Sequence, residues 1–211
     1  MVTTEQVLSR LNGYPRNLTW VSFRKVMQSL QPPLQASTSS SYSSVKYTTR
    51  LIDGTYRPFF TTRYIVEVRL NARDTWVVNQ QAVQTGSLLQ HEQGHFDITG
   101  LIARDLCRDL LSIEIDREIL AISKDLPRNP TPNDLLRAAH NYIRTEVDKY
   151  GQEAQALLAR LQTHRENGTN VDGLYDIETG HGQTLLGQQK WNEIFRHARQ
   201  TDTRLSLTIA L

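Results

Sequence analysis

Two hydrophobic rhythms divide this chain, alternation in its first third and three-and-four spacing afterwards. In Tyr64–Leu70, Tyr64, Val66, Val68 and Leu70 alternate with Ile65, Glu67 and Arg69, the signature of a strand with one buried face. Earlier, Val7, Leu8 and Leu11 form a short amphipathic pattern, and Asn12-Gly13-Tyr14-Pro15 is a turn signal. Leu18–Phe23 reads as a first strand, Pro32-Pro33 as a break, and Ser37–Ser44 with Tyr42 as an exposed hairpin or edge strand. Residues 45–70, with the turn signal Asp53-Gly54, suggest an antiparallel pair, and Trp76-Val77-Val78 leads onward.

From Ser87 the rhythm changes. Ile98, Leu101, Ile102, Leu106 and Leu110 recur at helical spacing, and the pattern predicts one helix to about Ile122, stopped by Pro127, Pro130 and Pro132. A second long helix follows from a cap at Thr131 or Asn133 to Leu161, giving a helical hairpin. Asn167-Gly168-Thr169-Asn170 opens a loop to about residue 182. A shorter helix is expected over 183–199, and alternation over Leu205–Leu211 predicts a closing strand. Strands first and helices after give an α+β class, read as a single domain over 1–211 that is mainly β over about 15–85 and mainly α over 86–200.

Composition narrows the classes. The 211 residues are 38% hydrophobic and 22% charged, ordinary for a protein with a packed core. A net charge of +2 argues for no nucleic-acid or membrane partner. Cys107, the single cysteine, has no internal partner and falls on an apolar helix face, as packing. No export signal precedes the first elements, so a cytoplasmic location is the default expectation, and no stretch approaches a membrane span. Nothing in the pattern sets an oligomeric state.

The chemistry concentrates in Leu88-Leu89-Gln90-His91-Glu92-Gln93-Gly94-His95-Phe96-Asp97, an H-E-x-x-H within the predicted helix. Histidines four apart lie about 40° apart on a helix face, so both imidazoles reach one ion. Glu92 is placed to take a proton from a water at that ion, as general base. A catalytic zinc site needs a third protein ligand and an open position. Glu114 lies 19 residues past His95, yet on a continuous helix it would sit about 28 Å away at about 1.5 Å per residue. Asp97 points about 200° from His95 and reads as a helix-packing carboxylate. The loop Tyr175–Gly182 offers His181, set between two glycines, with Asp176 as a further alternative. His140, His164 and His197 read as helix-surface residues.

These stretches together resemble a known family. The first motif, with Tyr175-Asp176-x-x-Thr179-x-His181-Gly182 and the glutamines before Trp191 downstream, is similar over roughly residues 18–200 to the DUF922 family of bacterial predicted zinc-dependent, zincin-like proteases. The resemblance implies a small N-terminal antiparallel sheet packed on the motif helix, then the helical hairpin and a C-terminal helix, with a substrate cleft between sheet and helix. It implies Zn2+ held by His91, His95 and His181, with Glu92 as base; Tyr175, six residues before His181, is then expected as hydrogen-bond donor to the oxyanion. The expected activity is hydrolysis of a protein or peptide substrate. A zinc amidase acting on cell-wall peptides and a non-catalytic, metal-stabilised binding module are the alternatives. The family is often exported, which sets a periplasmic or secreted location against the cytoplasmic default.

Overall fold

A capping box opens the first helix. In the computed structural model, which describes residues 2–31, 34–166 and 169–209, Thr3 Oγ1 accepts from the Gln6 N–H while the Gln6 side chain accepts from the Thr3 N–H, starting α1 (Thr4–Arg10). In chain order there follow β1 (Leu11–Asn12), β2 (Arg24–Val26), β3 (Ala36–Ser37), β4 (Ser40–Ser44), β5 (Thr48–Ile52), β6 (Thr55–Phe59), β7 (Val66–Leu70) and β8 (Trp76–Val78). The rest is α2 (Gly86–Ser112), β9 (Ile115–Asp116), α3 (Arg117–Ala121), α4 (Pro132–Leu161), β10 (His164–Glu166), β11 (Thr169–Val171), α5 (Leu174–Thr179), α6 (Leu185–Thr201) and α7 (Leu205–Ile209). The Pro32-Pro33 break, Asn167-Gly168 and Ala210-Leu211 lie outside the described residues.

The α+β class holds, but the N-terminal sheet is not one antiparallel unit. Among the described residues three three-stranded sheets form, in the orders β1-β7-β4, β2-β8-β3 and β5-β6-β9, with the hairpin β10-β11 separate. The first two are mixed, because β1 runs parallel to β7 and β2 parallel to β8. Long connections between those partners permit the parallel pairing. The Asp53-Gly54 turn joins β5 to β6, with both residues at positive φ, 47° and 82°. Ser40–Ser44 does form an edge strand, pairing only with β7. The alternate buried residues Val66 and Val68 of β7 sit in the core cluster with Phe96, Ile98 and Leu101 of α2, so this sheet is the floor on which the motif helix lies.

Leu18–Phe23 is not a strand. Leu18 and Phe23 are buried as its apolar pattern demands, but the Leu18 N–H donates to Gln93 Oε1 (2.7 Å) and Trp20 Nε1 to the Gln84 carbonyl (3.1 Å). With those bonds made to single side chains and loop carbonyls, the segment forms a 3-10 turn at Trp20–Ser22 instead of pairing.

Thr85 caps α2, accepting from the Leu88 N–H (3.2 Å). Its middle is buried on nearly every side from Phe96 to Leu110. The helix ends at Ser112, ten residues before the expected Ile122. Ile113 turns into an extended conformation (φ −68°, ψ 118°) and is buried, Glu114 pairs with Arg57 at 2.8 Å, Ile115–Asp116 pair with β6, and Asp116 caps α3. Those contacts replace what further helical turns would have gained. The expected helical hairpin is present: α4, capped by Thr131 and Asp134, packs antiparallel to α2. Leu110 shares a cavity with His140 and Val147, and Gln162, just past α4, reaches His95.

Leu205–Ile209 is a helix, not the closing strand. Arg204 pairs with Asp109 and the Leu205 N–H donates to Asp105 Oδ2 (2.8 Å), anchoring the segment on α2. Leu205 and Thr208, three residues apart, are then buried on one helical face.

Candidate metal centre

The motif histidines project from the second and third turns of α2, their rings edge to face at 4.8 Å. The group that completes the site comes from α5. Asp176 lies in its first turn, is 3% exposed, and places Oδ1 3.3 Å from His91 Nε2 and 3.1 Å from His95 Nε2. The two Nε2 atoms are 3.2 Å apart. These are the edges of a nearly equilateral triangle. Ligand atoms about 2.0–2.1 Å from a tetrahedral zinc stand about 3.3 Å from one another, so the donor set has the size and type that zinc requires. Among the described residues, His91, His95 and Asp176 are the one group of three whose donor atoms all lie within 4.8 Å.

The electrostatics are those of a buried, mutually dependent set. Burial lowers the His91 imidazole, with the charges of Glu92 and Asp176 opposing. Burial acts the same way on His95, but the Asp176 charge prevails and raises it. Burial would raise the Asp176 carboxyl, yet the charge of His95 and the hydrogen bonds from His95 and Thr163 hold it far below the usual carboxylate range. Thr163 Oγ1 donates to the other oxygen of Asp176 at 2.5 Å, fixing the carboxylate's plane.

Glu92 is 3% exposed, and its Oε2 has no hydrogen-bond partner. A buried, unpartnered carboxylate oxygen costs on the order of 1–3 kcal/mol or more. Here that atom belongs to a residue lining a cleft of about 1260 Å3 that also reaches His91, His95, Asp176 and His181. One wall of the cleft is the segment Leu34–Ser40, containing β3 and the start of β4. Among the described residues the lining has the carboxylates Asp74, Glu92, Asp172 and Asp176, four histidines, many hydroxyls and amides, and no lysine, arginine, phenylalanine, tyrosine or tryptophan.

His181 is at the site but outside the triangle. Its φ is 53°, and its ring, 38% exposed, stands with Nδ1 3.5 Å from Asp176 Oδ1 and Nε2 3.6 Å from Asp172 Oδ2. Glu114 is tied to Arg57 beyond the end of α2. Asp97 packs between helices, with Arg199 at 3.0 Å and Gln93 at 3.2 Å. His140 contacts Thr49 and His197 contacts Thr201, while His164 lines the cleft.

Tyr175 lies behind the histidines and not in the cleft wall. Fully buried, it stacks on His91 at 5.0 Å and 8° and meets His95 edge-on at 4.9 Å. Its hydroxyl donates to the His91 carbonyl (2.9 Å) and accepts from Gln188 Nε2 (3.0 Å). Gly94 makes that approach possible, because a Cβ there would stand 2.0 Å from the tyrosine oxygen. On the other side Gln162 Nε2 donates to the His95 carbonyl (2.5 Å) and Thr99 Oγ1 (3.0 Å).

Sequence reasoning reached His91, Glu92, His95 and the Tyr175–Gly182 stretch, but it gave no role to Gln162, Thr163 or Thr179, the last of which stands there only as a motif position. The first two lie just past a helix end with no periodic signal. Thr179 was visible as the fourth residue on from Tyr175, one helical turn away. No known protein family, curated protein or solved structure matches this chain, so the site stands on its geometry. Among the described residues, no helix is long and apolar enough to cross a membrane.

Proposed function

We propose that this protein is a zinc-dependent, zincin-like metallopeptidase related to the DUF922 family, with His91, His95 and Asp176 as the zinc ligands and Glu92 as general base. The observation that carries this reading is the triangle of donor atoms, with edges of 3.1–3.3 Å, on the wall of the cleft that Glu92 also lines. Zinc in such a site acidifies a water towards a pKa of about 7 and polarises the scissile carbonyl.

The chain's own groups do the rest. Glu92 Oε2, with no protein partner to release, accepts the proton of the attacking water and returns it to the leaving amine. Asp176 balances charge and orients both imidazoles. Tyr175 acts by position, holding the plane of His91 from behind. An extended peptide adds along the Leu34–Ser40 wall by strand addition, and the carboxylates of the cleft favour neutral or basic side chains over acidic ones. The absence of aromatic rings from that wall also suits hydrophilic substrates, so amide bonds in cell-wall peptides are the second reading.

Glu92→Gln is the test. It should keep zinc and lower peptide hydrolysis by about 10²–10⁴-fold. Undiminished turnover in the zinc-loaded variant excludes Glu92 as base.

A further inference from the structure

The cluster contains a hydroxyl that the reaction does not use. Thr179 is fully buried, at 0% exposure. Its Oγ1 lies 2.7 Å from the Tyr175 carbonyl and 3.3 Å from His91 Nδ1. A carbonyl only accepts, so the one hydroxyl proton goes to the Tyr175 carbonyl, one turn back in α5. What Oγ1 then presents to His91 is a lone pair. Nδ1 must carry a proton to make that contact favourable, which leaves Nε2 bare. Nε2 is the atom that faces His95 Nε2 and Asp176 Oδ1, and in this arrangement the proton that Asp176 accepts comes from His95, whose Nε2 is the nearer at 3.1 Å.

We infer that Thr179 is a positioning residue that fixes His91 in the Nδ1–H tautomer and so presents the Nε2 lone pair to a metal ion. Tyr175 and Thr179 sit four apart, on one face of α5, and both bear on His91. The tyrosine ring sets the plane of the imidazole by stacking at 8°, and the threonine sets which nitrogen is free. Asp176, three residues before Thr179 on the same short helix, supplies a ligand atom directly. One turn of α5 therefore contributes a ligand, a ring support and a tautomer lock. Partners on the distal nitrogen of a ligating histidine normally raise metal affinity by about 10–100-fold.

This inference rests on the metal-centre reading only for its consequence; the tautomer is a property of the metal-free protein. The test pairs Thr179→Val, which keeps the shape and loses the hydroxyl, with Thr179→Ser, which keeps it. Long-range proton–nitrogen NMR on metal-free protein at pH 7.5 should show His91 as the Nδ1–H tautomer in the parent and Thr179→Ser, and as a mixture or the opposite tautomer in Thr179→Val. Zinc affinity should fall by about 10–100-fold in Thr179→Val and stay near the parent's in Thr179→Ser. If the parent's His91 is protonated on Nε2, or if a folded Thr179→Val keeps both the parent tautomer and the parent affinity, the inference is overturned. Should Thr179→Val fail to fold, the parent tautomer and the Thr179→Ser affinity still decide. A parent that binds no zinc, with the tautomer as expected, would refute the zinc reading and leave the lock standing.

Discussion

Replacing a mid-helix glycine by alanine usually stabilises a helix by about 0.8–1.0 kcal/mol. Gly94 should reverse that sign. An added Cβ would stand 2.0 Å from the Tyr175 oxygen and 2.4 Å from its Cζ, so the ring must retreat by about 1.5 Å to reach ordinary contact. It has nowhere to go: Tyr175 is 0% exposed and packed against His91, His95, Trp191 and Phe195. Overpacking of this kind costs about 1–3 kcal/mol, and displacing the hydroxyl from the His91 carbonyl and Gln188 adds about 1–3 kcal/mol. After the helix-propensity gain, Gly94→Ala should destabilise the metal-free protein by about 1–5 kcal/mol, read from urea unfolding followed by circular dichroism. The decisive comparison is a cycle with Tyr175→Ala. That change alone costs about 3–5 kcal/mol, but with the ring gone Gly94→Ala should become neutral or stabilising by up to about 1 kcal/mol. Additive costs in the double variant, or a stabilising Gly94→Ala in the parent, would refute the claim that the motif's glycine exists to admit the tyrosine.

Three further outcomes follow. Arg104 is 3% exposed and donates to Asp105 Oδ1 and to the carbonyls of Ala198 and Thr203, so Asp105→Ala, which removes its nearer carboxylate, leaves Asp202 at 3.8 Å and also frees the Leu205 N–H, should lower unfolding stability by about 2–4 kcal/mol; a loss within about 0.5 kcal/mol would mean that Asp202 or water takes over the charge. Zinc must displace the proton that Asp176 holds on His95 but meets a His91 whose imidazole is already lowered, so below the raised His95 value affinity should drop about tenfold per pH unit with proton release seen by calorimetry, whereas pH-independent binding would exclude His95 as a ligand. Finally, with four carboxylates and no lysine or arginine lining the cleft, a peptide with lysine beside the scissile bond should be cleaved at least about tenfold faster in kcat/KM than its glutamate counterpart at low salt, the gap shrinking as salt rises; equal rates would show that the cleft field does not select.

The parts of the fold that sequence made legible are those where one local rule acted alone. β7 follows from alternation, α4 from a cap and a proline-bounded apolar stripe, and the His91/His95 pair from helix geometry. Where tertiary partners competed, local pattern misled. Leu18–Phe23 is rich in the apolar and β-branched residues of a strand, but Gln93 and Gln84 take its donors. Leu205–Ile209 alternates, and its anchor to Asp105 lies 100 residues away. The early end of α2 depends on Arg57 and β6, which sequence spacing does not reveal. In the site, His181 drew attention because histidine between glycines is conspicuous. Asp176 was harder to favour because its role depends on α5 crossing His91 and His95 at about 3 Å, an orientation set by Gln188, Trp191 and the Gly94 gap.

The central claim is that His91, His95 and Asp176 form the zinc site, with His181 beside it. Zinc per chain after dialysis against metal-free buffer, measured in the parent, Asp176→Ala and His181→Ala with folding checked by circular dichroism, tests it most directly. The account predicts one zinc in the parent, little or none in Asp176→Ala, and retention in His181→Ala. Retention in Asp176→Ala with loss in His181→Ala, or no zinc in the parent, would contradict it.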